Sequence, residues 1–141
     1  MRRIPILLLA LLAPGCDLVL ENPEPQEARL EMEGEAGKPI RIITSTEFVA
    51  AVNDLGQTRV QVFVADTIVT TLPYRRTYRI DDDHRYFVEA ARLDDDLASI
   101  RMEVYIDDRK QFDQGGSLTG GQPYRFVYSF NQTVTREIVI L

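Results

Sequence analysis

From Ala28 onward, apolar residues recur at every second position. Leu30 and Met32 alternate with Arg29, Glu31 and Glu33, and a turn follows from Gly34 to Lys38. Ile40 and Ile42 open a second run that extends to about Thr46. Val60, Val62 and Val64 alternate with Arg59, Gln61 and Phe63. Ile100, Met102, Val104 and Ile106 alternate with Ser99, Arg101, Glu103 and Tyr105, the clearest half-buried strand of the chain. Phe126, Tyr128 and Phe130 share one face, as do Val134, Ile138 and Ile140 near the end. A strand sends successive side chains to opposite faces, so this period marks strands with one buried side. Turn-forming residues separate them: Asn53 to Gly56, Asp81 to Asp83, Asp94 to Asp96, Asp107-Asp108, and Gly115 to Gly121. Short strands with turns about every 8–12 residues predict an all-β fold, a single antiparallel β-sandwich of about seven to nine strands over residues 28–141.

Two segments leave the simple pattern. Thr44-x-x-Glu47 has the spacing of a helix capping box and Gly56 that of a helix stop, whereas Phe48, Val49 and Val52 favour a strand. The β-prone residues predict a strand, with a short helix over 47–54 as the alternative. Ile138-Val139-Ile140-Leu141 is a β-prone apolar end. It needs a place in the sheet or a partner to cover it, because a domain usually ends in polar, fraying residues.

The start of the chain follows different rules. Arg2 and Arg3 precede the apolar run Ile4 to Leu12, which leads to Ala13-Pro14-Gly15-Cys16. A basic start, an apolar run and a small residue have the order of a secretory signal. A bilayer-spanning helix needs about 20 residues, far more than this run has. The single cysteine stands where cleavage would fall, with Gly15 before it and Leu12 and Ala13 ahead, which resembles the lipobox of bacterial lipoproteins. That resemblance implies residues 1–15 as signal peptide, a lipidated Cys16 at the mature N-terminus, and a place in the cell envelope facing the periplasm or the exterior. An ordinary secretion signal with a chance cysteine is the alternative. Residues 16–27 then form a tether, since Glu21-Asn22-Pro23-Glu24-Pro25-Gln26-Glu27 is acidic and proline-punctuated.

Charge narrows the partners. Without residues 1–15, 126 residues remain, with 14 basic and 22 acidic side chains and a net charge of −8. That length supports one domain with a real core. Its acidic surface repels phosphate backbones, which argues against nucleic acid. No second cysteine exists to form an internal disulfide.

Candidate chemistry is sparse. Asp81, Asp82, Asp83, Asp107 and Asp108 carry enough oxygens to suggest calcium, and the strand lengths bring these two clusters to the same end of the sheet. Asp94 to Asp96 falls at the other end. No D-x-D-x-D-G spacing organises such a loop, and aspartate is a common turn residue, so turn chemistry is favoured over a metal. His84 is the only histidine and follows three aspartates, where a solvated imidazole is expected. No catalytic residue and no cofactor are assigned. Gly115 to Gly121 lacks the lysine of a phosphate loop and reads as a long flexible hairpin loop. Asn131-Gln132-Thr133 matches a glycosylation pattern by chance. Tyr74, Arg75, Arg76, Tyr78 and Arg79 form the one basic, aromatic-interleaved stretch, suited to a partner's carboxylates or to lipid phosphates. Pairing with the chain's own aspartates is its alternative role.

Leu72-Pro73-Tyr74, then Phe87-Val88-Glu89-Ala90-Ala91, then Ile100 to Asp108 come in the order of features of MmpS-type transport accessory proteins and related Ig-like envelope domains. Tyr74 stands for that family's tryptophan and Asp108 for its turn glycine. The resemblance covers about 50 residues, Arg59 to Lys110. It implies an Ig-like sandwich that assists a membrane complex. The expected function is therefore a non-catalytic, lipid-anchored accessory or scaffold subunit of an integral membrane or envelope protein complex. A stand-alone ligand- or calcium-binding envelope lipoprotein is the alternative.

Overall fold

The computed structural model describes residues 24–35, 37–94, 96–130 and 138–140. The expected signal segment, Cys16, most of the expected tether, Asp95, the Asn131 to Thr133 pattern and Val134 lie outside the described residues. Among the described residues there are nine strands and no helix. They are β1 (Glu27–Gly34), β2 (Ile40–Val52), β3 (Thr58–Thr70), β4 (Tyr74–Arg79), β5 (Arg85–Arg92), β6 (Ala98–Ile106), β7 (Arg109–Leu118), β8 (Tyr124–Ser129) and β9 (Ile138–Ile140). Two sheets form, one in the order β4-β1-β6-β7 and the other β8-β5-β2-β3-β9. Every pairing is antiparallel except β3 with β9, which is parallel. The chain is thus a two-sheet β-sandwich.

The period of two explains the main core. Leu30 and Met32 of β1 and Ile100, Met102, Val104 and Ile106 of β6 point inward from the four-stranded sheet. Ile40 and Ile42 of β2 and Tyr86, Val88 and Ala90 of β5 meet them from the other. Each fully buried side chain of this size stabilises the fold by about 1.5–3 kcal/mol. Glu31, Arg101 and Glu103 are left on the outer face.

The five-stranded sheet is apolar on both faces. Phe48, Val60, Phe87 and Val127 form a second buried cluster on its outer side, joined by Ile43, Ala50, Val62, Ile138 and Ile140. Strand β5 is accordingly buried along nearly its whole length, and its unbroken Phe87-Val88-Glu89-Ala90-Ala91 run is what a strand covered on both sides requires. The apolar end of the chain is paired inside this sheet: Ile138 and Ile140 lie opposite Thr58 and Val60.

Residues 47–52 are strand, and β2 continues without a break well past Thr46. The apparent capping box lies on a β-bulge. The Ser45 hydroxyl donates to the Val64 carbonyl at 2.5 Å and accepts from the Glu47 amide at 3.0 Å. Register shifts fall between Thr44 and Glu47 and between Glu47 and Phe48. An extra residue reverses which face each side chain takes. Ile42 therefore enters the main core, while Phe48, of the same parity, enters the outer cluster. On β3 the same region leaves Phe63 60% and Val64 56% exposed, which breaks the alternation expected there.

The glycine-rich segment corrects the expected flexible hairpin loop. Gly115 and Gly116 belong to β7, opposite Arg101 and Ile100, and Leu118 is buried. Only residues 119–123 connect, and they lead from one sheet to the other. The missing side chain at Gly116 has a use: a Cβ there would lie 3.1 Å from the Tyr124 hydroxyl.

Gly34 ends β1 at a φ of +144°, and a Cβ on it would lie 2.3 Å from the Ser99 carbonyl oxygen. Gly37 has a φ of +85° with open space around it. Gly34→Ala should therefore cost about 2–4 kcal/mol through combined strain and clash, and Gly37→Ala about 1–2 kcal/mol through backbone conformation alone. Urea denaturation of the two variants checks the difference, and equal losses would show that the close approach at Ser99 is unimportant.

Candidate partner-binding edge

Strand β4 is the outermost strand of its sheet and pairs only with β1 among the described residues. The peptide bond from Leu72 to Pro73 that leads into it is cis. Alternation divides the five residues singled out from the sequence between two faces. Tyr74, Arg76 and Tyr78 share the inner side, opposite Met32, Leu30 and Ala28 of the core. Arg75 and Arg79 share the outer side with Thr77.

The inner set is tied together. The Tyr74 and Tyr78 hydroxyls are 2.9 Å apart, and the Tyr78 ring packs on Tyr86 at 5.6 Å. The Arg76 guanidinium lies 5.1 Å from the centre of the Tyr78 ring, with its head exposed. Burial and the hydrogen bond with Tyr74 push the Tyr78 phenol well above its ordinary range, so it stays neutral. The Tyr74 hydroxyl beside Arg76 raises that guanidinium's pKa further. Tyr74 and Tyr78 are thus largely core residues, and Arg76 is the member of the set that reaches solvent.

The outer set is less engaged. Arg75 touches Glu31 through Nε at 3.2 Å and remains 69% exposed. Arg79 is exposed and has no ion pair among the described residues. The aspartates that follow do not neutralise these arginines. Asp81 instead closes a turn, its carbonyl accepting the His84 amide at 3.0 Å.

The other acidic clusters also serve the backbone. Asp107 and Asp108 have φ of 45° and 63° and form the two-residue β6–β7 turn, the left-handed pair that a tight hairpin requires. The Asp107 carboxylate accepts the Gln26 and Glu27 amides, both at 3.0 Å. Asp94 holds the buried Arg92 at 2.6 Å. Asp81 to Asp83 and Asp107-Asp108 do share one end of the sandwich, with β1 between them. Two strand spacings of about 4.8 Å thus separate their strands. Among the described residues no group of three His, Cys, Asp or Glu is placed to hold a metal ion. His84 differs from the solvated imidazole expected: its side chain is 20% exposed, with Nε2 3.5 Å from Glu24 and its ring edge-on to Phe130 at 5.7 Å.

Glu89 stands in the Phe87–Ala91 run with no chemical motif around it in the sequence. Its carboxylate is buried on the outer face of the five-stranded sheet and meets Arg125 at 2.8 Å and Arg41 at 3.3 Å. Beside it is a recess of about 450 Å³, walled by Ile43, Val62, Phe63 and Phe87. A lone acid within an apolar run was the available signal.

The outer face of the four-stranded sheet carries an ionic lattice. Arg75 and Arg29 share Glu31, and Arg29 also pairs with Asp108. The Arg29 guanidinium lies 4.4 Å from the centre of the Tyr105 ring, which links this group to the next. Glu103 accepts from Tyr105 and Lys110, both at 2.6 Å, and Asp113 binds Arg101 at 2.6 Å and Lys110 at 3.2 Å. No family model matches this chain, and no curated protein or solved structure does.

The lattice has a pH signature. The Arg101 hydrogen bond holds the Asp113 carboxyl well below the usual carboxylate range, and the Lys110 bond lowers that of Glu103. Carboxyls with depressed folded pKa values stabilise the fold above their unfolded pKa, near 4, and lose that contribution as pH falls through the folded values. Because the groups face solvent, the effect is modest and salt-sensitive. Melting temperature should fall between about pH 5 and 2, and Asp113→Asn should flatten part of that slope. A carboxyl titration of Asp113 at the ordinary aspartate pKa would refute this reading.

Proposed function

We propose that this protein is a non-catalytic accessory subunit of an integral membrane or envelope protein complex, anchored through a lipidated Cys16 in a bacterial cell envelope. The observation that carries this reading is the exposed, only partly neutralised arginine set on the open strand β4 of a chain with a net charge of −6. Like-signed charge concentrated on one strand of an oppositely charged protein is a feature of contact surfaces, since it steers and orients an encounter. Tyr74 and Tyr78 support the strand from below, and Arg75, Arg76 and Arg79 are its contact residues. Attachment to the membrane raises the local concentration of such a module near its partner, so modest contacts suffice. The order signal, cysteine and tether in the sequence, and its resemblance to transport accessory domains of Ig-like outline, support the same reading.

A second reading rests on the recess beside Glu89. An apolar hollow of that size with a buried charged group is a common form of small-ligand site, which suits a stand-alone ligand-binding envelope lipoprotein.

Mass spectrometry of membrane-purified protein should find acyl mass on Cys16, and Cys16→Ser should release the protein from the membrane fraction. Affinity purification after gentle detergent extraction should recover a membrane-protein partner. Arg75→Glu with Arg79→Glu should reduce that recovery at least tenfold without changing the melting temperature by more than a few degrees. A protein recovered alone, or a partner retained by the double variant, would sink the accessory-subunit reading.

A further inference from the structure

We propose that the open edge of β4 takes an extended acidic segment of the partner as an added strand, so that the four-stranded sheet gains a fifth. This rests on the partner-binding reading and names the mode and chemistry of the contact.

The backbone supplies the first argument. The Ile80 amide donates to the Gln26 carbonyl at 2.9 Å, just beyond the register pair Arg79 and Glu27. In an antiparallel ladder, residues that turn their N–H and C=O toward a neighbouring strand alternate with residues that turn them away. Tyr78, Arg76 and Tyr74 therefore bond toward β1. Arg75, Thr77 and Arg79 direct their N–H and C=O groups to the open side. No strand pairs there among the described residues. Three donors and three acceptors in a row form a template for an incoming strand.

The side chains supply the second. Arg75, Thr77 and Arg79 share the outer face at every second position, roughly 6.6 Å apart. A strand laid alongside places its own alternate residues about 4.5–5.5 Å from them, where opposite charges attract and like charges repel. Glutamate or aspartate on that face of the newcomer matches the two arginines. On the inner face it meets Arg76 and the flank of the Tyr74 and Tyr78 pair, which suits apolar residues. The segment that fits alternates acidic and apolar positions.

The same charges exclude a second copy of this chain. Two β4 edges paired antiparallel about Thr77 would bring Arg75 opposite Arg79 twice, setting like charges face to face. The open edge of β7 is a poorer template, because its Lys110 is already paired with Glu103 and Asp113. Lipid phosphates would satisfy the arginine heads and leave the backbone row unused, so the peptide accounts for more of the edge.

The full-length protein in detergent, labelled with nitrogen-15, is titrated with the capped peptide EVEVEVE, with KVKVKVK, and with glycerol phosphate, the soluble headgroup of phosphatidylglycerol. The expected result is saturable binding of EVEVEVE alone, with amide shifts and slowed hydrogen exchange at Arg75, Thr77 and Arg79. Thr77→Pro removes the central outward N–H at a position where no internal bond is lost. It should weaken EVEVEVE at least tenfold at an unchanged melting temperature. Should that variant unfold, Arg75→Glu with Arg79→Glu decides: it should lose EVEVEVE and gain KVKVKVK. Glycerol phosphate shifting the Arg75, Thr77 and Arg79 amides where EVEVEVE does not would overturn the proposal, and so would equal binding by folded Thr77→Pro. Partner recovery that survives Thr77→Pro but fails in the arginine double variant would overturn strand addition and leave the accessory-subunit reading standing. Recovery that survives both would remove the two together.

Discussion

Burial of alternate side chains between two sheets underlies every other feature of this protein. With a single cysteine in the chain, no internal disulfide adds to it. Leu30, Met32, Met102 and Val104 on one side and Ile40, Ile42, Val88 and Ala90 on the other all lie within the core. Because side chains alternate, the same strands carry ionic residues outward, and the lattice of Arg29, Glu31, Arg101, Glu103, Lys110 and Asp113 is the other face of that packing. Moving any of these strands by one residue would exchange the two faces, so core and lattice hold one register together.

The two sheets divide the work unequally. The four-stranded sheet is apolar inside and charged outside, and it ends at β4. The five-stranded sheet is apolar on both faces, with its second cluster around Phe48, Val60, Phe87 and Val127. The bulge at Ser45 makes this possible by turning the distal part of β2 over, so that one strand serves both clusters. The result is one sheet whose outer face holds a recess and a buried carboxylate at Glu89, and another whose edge offers backbone groups flanked by arginines. The edge is the more directional of the two, because hydrogen-bonding groups and charge coincide on it.

Some residues announced their roles in the sequence. Ile100, Met102, Val104 and Ile106 were legible as one buried face because a period of two held over seven residues matches a strand and not a helix. Asp107-Asp108 was legible as a turn. Others misled: Thr44-x-x-Glu47 imitates a helix cap, and only the hydrogen bonds of Ser45 reveal a bulge. Gly115 and Gly116 read as loop because glycine weakens strands, yet β6 pairs with them across the full ladder. Tyr74, Arg75, Arg76, Tyr78 and Arg79 were recognisable as a group by composition. Their separation into an inner, tyrosine-held set and an outer set appears only once β4 lies against β1.

Local sequence was enough to dictate the β class, the inward faces of β1 and β6, and the turn chemistry of the aspartates, since each follows from contacts within a few residues. Which strands share a sheet, that β9 runs parallel to β3, and that β4 has an open edge among the described residues emerged only in the packed fold. Strand alternation is the same whatever neighbour a strand has. The choice of neighbour comes from side chains distant in sequence, such as Leu30 with Val104 and Phe48 with Phe87, which must fill a common space.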